Sequence, residues 1–188
     1  MQRKFVMCVV ALTLTVLYAA SASAMPRPFQ IGFGGGVSVP VSDYKSAFDN
    51  GFHAKGMFRW KVPALPISLG TSLGYEKFDL KSAVPNVTGT QNILSALGNV
   101  SYHFGLPIPI KPYVTAGLGA YHISSSTTGV PDVSATKFGI DGGLGVEFKL
   151  GGISAFAEGK IENIYTSDQG VAQSFNTQVI PVTFGVMF

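Results

Sequence analysis

From residue 29 to the end, apolar side chains alternate with polar or very small ones in eight stretches of strand length. Side chains on a strand point to opposite faces with period two, so each stretch predicts a strand with one apolar face. The predicted strands are Phe29–Val39, Phe52–Lys61, Ile67–Phe78, Ile93–Phe104, Pro112–Ile123, Lys137–Leu150, Ile153–Tyr165 and Gln178–Phe188. The sixth is the clearest: Phe138, Ile140, Leu144, Val146, Phe148 and Leu150 oppose Lys137, Asp141, Glu147 and Lys149. Two strands break the pattern. In the fifth, Tyr113, Tyr121 and Ile123 fall opposite Val114, Ala116 and Leu118. In the seventh, Phe156 lands on the face of Glu158, Lys160 and Glu162.

The connections alternate in length. Val62–Pro66, Gly105–Lys111 and Gly151–Gly152 are short and built around Pro and Gly. Pro40–Gly51, Asp79–Thr90, Ser124–Ala135 and Thr166–Phe175 are longer and polar. An even strand number, with short turns on one side and long loops on the other, predicts an all-β, eight-stranded antiparallel transmembrane β-barrel. In that arrangement the short turns are periplasmic and four loops are extracellular.

The first 24 residues change the picture of where the chain goes. Arg3 and Lys4 precede an apolar run from Phe5 to Ala20, and Ala22-Ser23-Ala24 supplies an A-x-A site. This pattern predicts a cleaved signal peptide over 1–24 and a single barrel domain over 25–188, located in a bacterial outer membrane. The only cysteine, Cys8, lies inside the signal, so disulfide, thiol and cysteine-metal chemistry are excluded from the mature chain. Removing Arg3 and Lys4 reduces 13 basic residues to 11, against 10 acidic ones. The basic residues are scattered, and no nucleic-acid footprint is expected. Charged residues make up 12% of the chain, about half the usual share in soluble domains. After residue 24 there is no run long and apolar enough for a membrane helix.

Alternation alone does not say which face points out, and a secreted lipocalin-like barrel would bury the apolar face. Here the polar faces are rich in glycine, with Gly32, Gly34, Gly36, Gly70, Gly74, Gly117, Gly119, Gly139, Gly143 and Gly145 among them. A water-facing surface would carry many more charges, whereas a narrow eight-stranded lumen needs small residues. Aromatics also gather near strand ends. Trp60, Phe104, Tyr113, Phe148 and Phe188 lie toward the turn side, with Trp60, Phe104, Phe148 and Phe188 expected at the membrane interface. The apolar faces are therefore expected to meet lipid.

The terminal Phe188 resembles the C-terminal signature of bacterial outer-membrane barrels. Lys111-Pro112-Tyr113-Val114-Thr115-Ala116-Gly117-Leu118-Gly119-Ala120-Tyr121 resembles the Pro-Tyr-x-x-x-Gly-x-Gly strand of OmpA-like and opacity-type barrels. Gly142-Gly143-Leu144-Gly145-Val146-Glu147-Phe148-Lys149-Leu150 resembles their following strand. Ala157-Glu158-Gly159-Lys160-Ile161 resembles their Glu-x-Arg-Tyr segment, with Lys160 and Ile161 in place of Arg and Tyr. The resemblance spans most of the mature chain and implies the architecture more than a function. Its family includes adhesins, immune-evasion proteins and envelope anchors. The periplasmic peptidoglycan-binding domain of full OmpA proteins is not seen in this sequence, so that anchoring role is not expected.

On this reading Lys55, Arg59, Glu76, His103, Asp141, Glu147, Glu158, Lys160 and Glu162 all point into the lumen, together with His53, Lys137 and Lys149. Charges buried there need partners. The expected result is a salt-bridge network filling the barrel, with Glu158 and a basic partner such as Arg59 or Lys160 at its centre. A narrow ion path is the alternative. His122-Ile123-Ser124 allows one enzyme test, since membrane-embedded lipid A deacylases use His, Ser and Glu on the outside of such a barrel. No acid stands out on that face, and Ser125 occupies a position where that family has Asn. No catalytic, cofactor or metal residues are expected. Three histidines without ligand spacing and glycine runs without a following helix argue against metal or phosphate-loop sites. The expected function is a non-enzymatic envelope or surface-interaction role through the loops. A small-solute channel is second and a lipid-modifying enzyme third. The expected partners are outer-membrane lipid, the barrel assembly machinery through the C-terminal strand, and an extracellular partner at the loops. The chain is expected to act as a monomer.

Overall fold

The computed structural model describes residues 28–41, 44–81, 89–106, 108–165 and 177–188. The signal peptide expected over 1–24 and most of the loops expected at Asp79–Thr90 and Thr166–Phe175 lie outside these residues. Eight strands form the structure: β1 (Phe29–Val41), β2 (Gly51–Lys61), β3 (Ile67–Asp79), β4 (Gly89–His103), β5 (Ile110–Thr127), β6 (Val130–Leu150), β7 (Ile153–Ile164) and β8 (Thr177–Met187). One helical turn, α1 (Tyr44–Ala47), lies between β1 and β2. Each strand pairs antiparallel with its neighbours in sequence, and β8 pairs with β1 to close the barrel. At the seam Gly35 faces Phe184 and Val37 faces Val182. Phe188 then exchanges two backbone hydrogen bonds with Ile31, at 2.8 and 3.3 Å. Closure leaves no strand edge, so every backbone N–H and C=O in the spanning region can find an internal partner, as lipid requires.

The short turns fall where the sequence places them. Ala64 in the β2–β3 turn and Gly151 in the β6–β7 turn both have positive φ, 64° and 68°. One long connection does not. Ser124–Ala135 is not a loop, because β5 and β6 continue through it and meet at Thr128-Gly129, with Gly129 at φ 82°. The Ser/Thr-rich run looks like a loop by composition. Threonine and valine also favour strands, however, and a two-residue turn with glycine is a hairpin. Strands of 18 and 21 residues exceed the roughly 9–11 needed to cross a membrane. The β5–β6 hairpin therefore projects past the barrel rim.

Phe33, Leu73, Leu94, Leu144 and Phe184 are among the exposed apolar side chains that cover the outside. The inside holds the charged residues together with Tyr113, Tyr121 and Phe156, all almost fully buried. The two pattern breaks are thus lumen fillers, and Tyr113 is not the interface aromatic its position suggested. Each large ring rests on a glycine of a neighbouring strand, and Phe156 also on Gly34 of β1, two strands away. A Cβ at Gly145 or Gly139 would collide with the ring of Tyr113 or Tyr121, and one at Gly34 or Gly185 would crowd Phe156.

At the loop end the lumen becomes apolar. Phe78, Ile93, Leu97, Tyr121, Ile164 and Val179 cluster there, and Tyr44 of α1 packs down onto them. The Tyr44 and Phe78 rings meet edge to face at 5.5 Å, and Tyr44 also donates a hydrogen bond to Gln91. Burial holds the Tyr44 phenol above its usual pKa, so it stays a donor.

Candidate functional site

The lumen charges come together in three tiers along the barrel axis. Nearest the turn end, Glu147 on β6 lies 2.7 Å from Arg59 Nη1 and 3.6 Å from both Lys61 Nζ and His103 Nε2. The Arg59 guanidinium also lies 5.7 Å from the centre of the Tyr113 ring, a cation–π distance.

In the middle tier Glu158 on β7 accepts from Lys55 Nζ at 2.7 Å and from the Tyr113 hydroxyl at 2.9 Å. Lys160 Nζ lies 4.0 Å from Glu158 and 2.9 Å from Asp141 Oδ1, and it donates to Asn99 Oδ1 at 3.0 Å. Asn99 in turn donates to Ser72 at 3.0 Å. The Lys160–Asp141 contact is an ion pair by distance without hydrogen-bond alignment, since both Asp141 oxygens lack a hydrogen bond.

Toward the loop end, Glu76 and Glu162 are buried beside the apolar cluster. His53 bridges Ser38 and Thr183 through its two ring nitrogens, 2.9 Å on each side. Glu76 Oε2 and the Tyr121 hydroxyl are buried there without a hydrogen-bond partner, as His103 Nε2 and Glu147 Oε1 are at the turn end.

Of the two basic partners expected for Glu158, Lys160 lies 4.0 Å from it, whereas Arg59 pairs with Glu147. Lys55 lies two lumen positions nearer the loop end on the same strand and occupies the place beside Glu158. Lys61 and Tyr113 also belong to the network and were not among its expected members. Both share strand parity with lumen residues, Lys61 with Arg59 and Tyr113 with Lys111, and parity was the available signal.

Two of the spaces between these side chains are small. One of about 40 Å³ touches Lys55, Arg59, Asn99 and Glu158. Another of about 20 Å³ touches His53, Glu76 and Glu162. These volumes suit one or a few waters each. Among the described residues no group of three His, Cys, Asp or Glu side chains is arranged to hold a metal ion. Outside the barrel, His122 is exposed, and its Nδ1 lies 2.9 Å from Thr136 Oγ1.

The four aromatics expected at the interface all sit at the turn end. Trp60 stacks on Phe29 with ring centres 6.5 Å apart, and Phe104 meets Tyr102 edge to face at 5.2 Å. Phe148 is exposed and Phe188 half-buried.

The barrel is similar to several solved outer-membrane proteins. Neisserial surface protein A superposes with a TM-score of 0.65 at 18% identity, covering 86% of this chain and 96% of that one. Ail, the attachment invasion locus protein of Yersinia pestis, solved with the heparin analogue sucrose octasulfate, gives 0.56 at 14% identity, covering 85% and 97%. A major outer membrane protein of Thermus thermophilus gives 0.57 at 13% identity, also covering 85% and 97%. At such identities the likeness shows the fold alone. No curated protein sequence matches the chain. The model of the outer membrane protein beta-barrel domain family matches residues 9–188, and with its closed eight-stranded barrel the chain belongs to that family of bacterial outer-membrane proteins.

Proposed function

We propose that the protein is a non-enzymatic outer-membrane barrel with a plugged lumen, acting at the cell surface through its extracellular segments. The observation that carries this reading is the lumen filling. The spaces beside the middle tier and toward the loop end are only about 40 and 20 Å³, and an apolar cluster capped by Tyr44 closes the loop end. An ion would have to break buried pairs and then cross an apolar layer, both costly. The β5–β6 hairpin supports the surface role, because it raises exposed side chains such as Val133 above the rim. In this reading Trp60, Phe104, Phe148 and Phe188 anchor the periplasmic interface.

Nothing in the charge of these segments favours a polyanion of the kind seen with Ail. The extracellular segments carry Asp43, Asp49, Asp79, Asp132 and Asp168 against Lys45, Lys77, Lys81 and Lys137, which leaves no basic surplus.

Single-channel recording in planar bilayers tests the plug, with no steady openings expected. Sustained unitary steps would establish the channel reading in its place. The surface role predicts that cells carrying a hairpin-shortened barrel lose attachment to host or neighbouring cell surfaces while keeping the barrel. Unchanged attachment would sink it.

A further inference from the structure

At the turn end the lumen opens into a cavity of about 240 Å³. Its polar lining comes from the ends of five strands: Lys61 on β2, Ser68 on β3, His103 on β4, Lys111 on β5, and Glu147 and Lys149 on β6. Three ammonium groups thus face a space that holds one carboxylate. That carboxylate is already committed. Glu147 lies 2.7 Å from Arg59 and has only a 3.6 Å contact to spare for Lys61. Lys111 and Lys149 have no ion-pair partner among the described residues. The lining therefore carries a surplus of two positive charges, with Arg59 adjoining it. Like charges gathered in a concave, partly desolvated mouth repel one another unless an anion joins them.

We propose that this mouth is a binding site for a phosphate group, held by Lys61, Lys111 and Lys149, with His103 as a further donor. The cavity is smaller than a drug-sized pocket of roughly 300–1,000 Å³, so it takes a single phosphate with a short substituent. Exposed Leu65 and Phe104 form an apolar part of the same lining, which suits a phosphate carried on a lipid as well as a free one. The site is independent of the surface role proposed above, since it lies at the opposite end of the barrel.

The test uses the full barrel labelled for amide NMR. In maltoside micelles it is titrated with inorganic phosphate. In parallel it is placed in nanodiscs of zwitterionic lipid with and without phosphatidylglycerol. The site predicts saturable shifts centred on the amides of Lys61, His103, Lys111 and Lys149, weakening as salt rises. Exchanging Lys111→Gln and Lys149→Gln together should weaken binding about tenfold or more. A Lys45→Gln, Lys81→Gln barrel, altered at the loop end, should bind as the parent does. A response to free phosphate identifies a soluble anion, and a response confined to phosphatidylglycerol nanodiscs identifies a lipid headgroup. Both sustain the site. No saturable response in either medium overturns it, and so does equal binding by the Lys111→Gln, Lys149→Gln barrel. Should that double variant fail to fold, Lys149→Gln alone, on the exposed rim, is expected to bind about threefold more weakly, and parent-like binding overturns the site.

Discussion

At the scale of single residues, the lumen is held by pairs whose members are far apart in sequence. Arg59 and Glu147 are 88 positions apart, and Lys55 and Glu158 are 103 apart. Removing one member leaves a buried charge without its partner, which typically costs about 3–5 kcal/mol. Glu147→Gln should therefore lower stability by roughly that amount, because Arg59, Lys61 and His103 all converge on it. Replacing Arg59 and Glu147 together with Met and Leu should cost less than Glu147→Gln alone, since the buried Arg59 charge is then not stranded and the part-exposed Lys61 can turn to water. Urea unfolding of the refolded barrel in lipid vesicles measures both. A double variant less stable than the sum of its singles would show that the pair does more than neutralise itself. Which charges share a face is readable from strand parity. Which charge meets which is not, because partners such as Lys55 and Glu158 lie on non-adjacent strands and meet only once the barrel has closed. Tyr113 and Phe156 are the sharper case. In one strand each looks like an error of alternation, and the reason lies in Gly145 and Gly185 across the ladder and in Gly34 on β1. Gly145→Leu should consequently destabilise the barrel through the Tyr113 ring, and Tyr113→Ala in the same chain should restore part of the loss.

At the scale of elements, the limits of five strands, β1, β2, β3, β7 and β8, are legible to within two residues, because periodicity and turn signals agree there. The β5–β6 hairpin shows where that agreement ends. Ser124-Ser125-Ser126-Thr127-Thr128-Gly129 has loop composition, yet its ladder continues to the Thr127–Val130 pair with a register shift between Ser125 and Thr127. What holds it is cross-strand pairing on both sides of β5, since Gly89, Thr90 and Gln91 of β4 pair with Thr127, Ser126 and Ser125. Gln91 also donates to the Ser125 hydroxyl at 3.0 Å. Only Gly129 sits in the left-handed region at the tip. Gly129→Val should cost the hairpin about 1 kcal/mol or more and raise amide exchange at Ser125 and Val133, while β6 amides below Phe138 stay protected. Uniform exchange along all of β6 would mean that the hairpin and the barrel wall open as one unit. Shortening the hairpin between Ser126 and Pro131 should leave heat-modifiable gel mobility unchanged for the same reason.

At the scale of the whole molecule, the fold depends on one contact between the two ends of the chain. β1 and β8 pair over ten positions, from Gly32–Met187 to Val41–Gln178. Until they do, both present open edges, which lipid does not tolerate. Phe188 extends this seam by two backbone hydrogen bonds to Ile31, and its ring joins Trp60, Phe104 and Phe148 at the turn end. Deleting Phe188 removes both the last seam contact and one of the turn-end rings proposed to anchor the interface, and it shortens the chain end through which the barrel assembly machinery is expected to take hold. The consequence should appear in assembly more than in final stability. The truncated chain should insert into the outer membrane more slowly and to lower yield, scored by the fraction reaching the heat-modifiable folded form after induction. Molecules that do fold should unfold at nearly the parent urea concentration, since ten register pairs remain. Phe188→Tyr separates the two contributions, because it keeps the backbone bonds and an interface aromatic and should assemble like the parent. If the chain lacking Phe188 assembles at the parent rate, the terminal aromatic is an interface side chain only. Closure then rests on the Gly32–Val41 ladder alone.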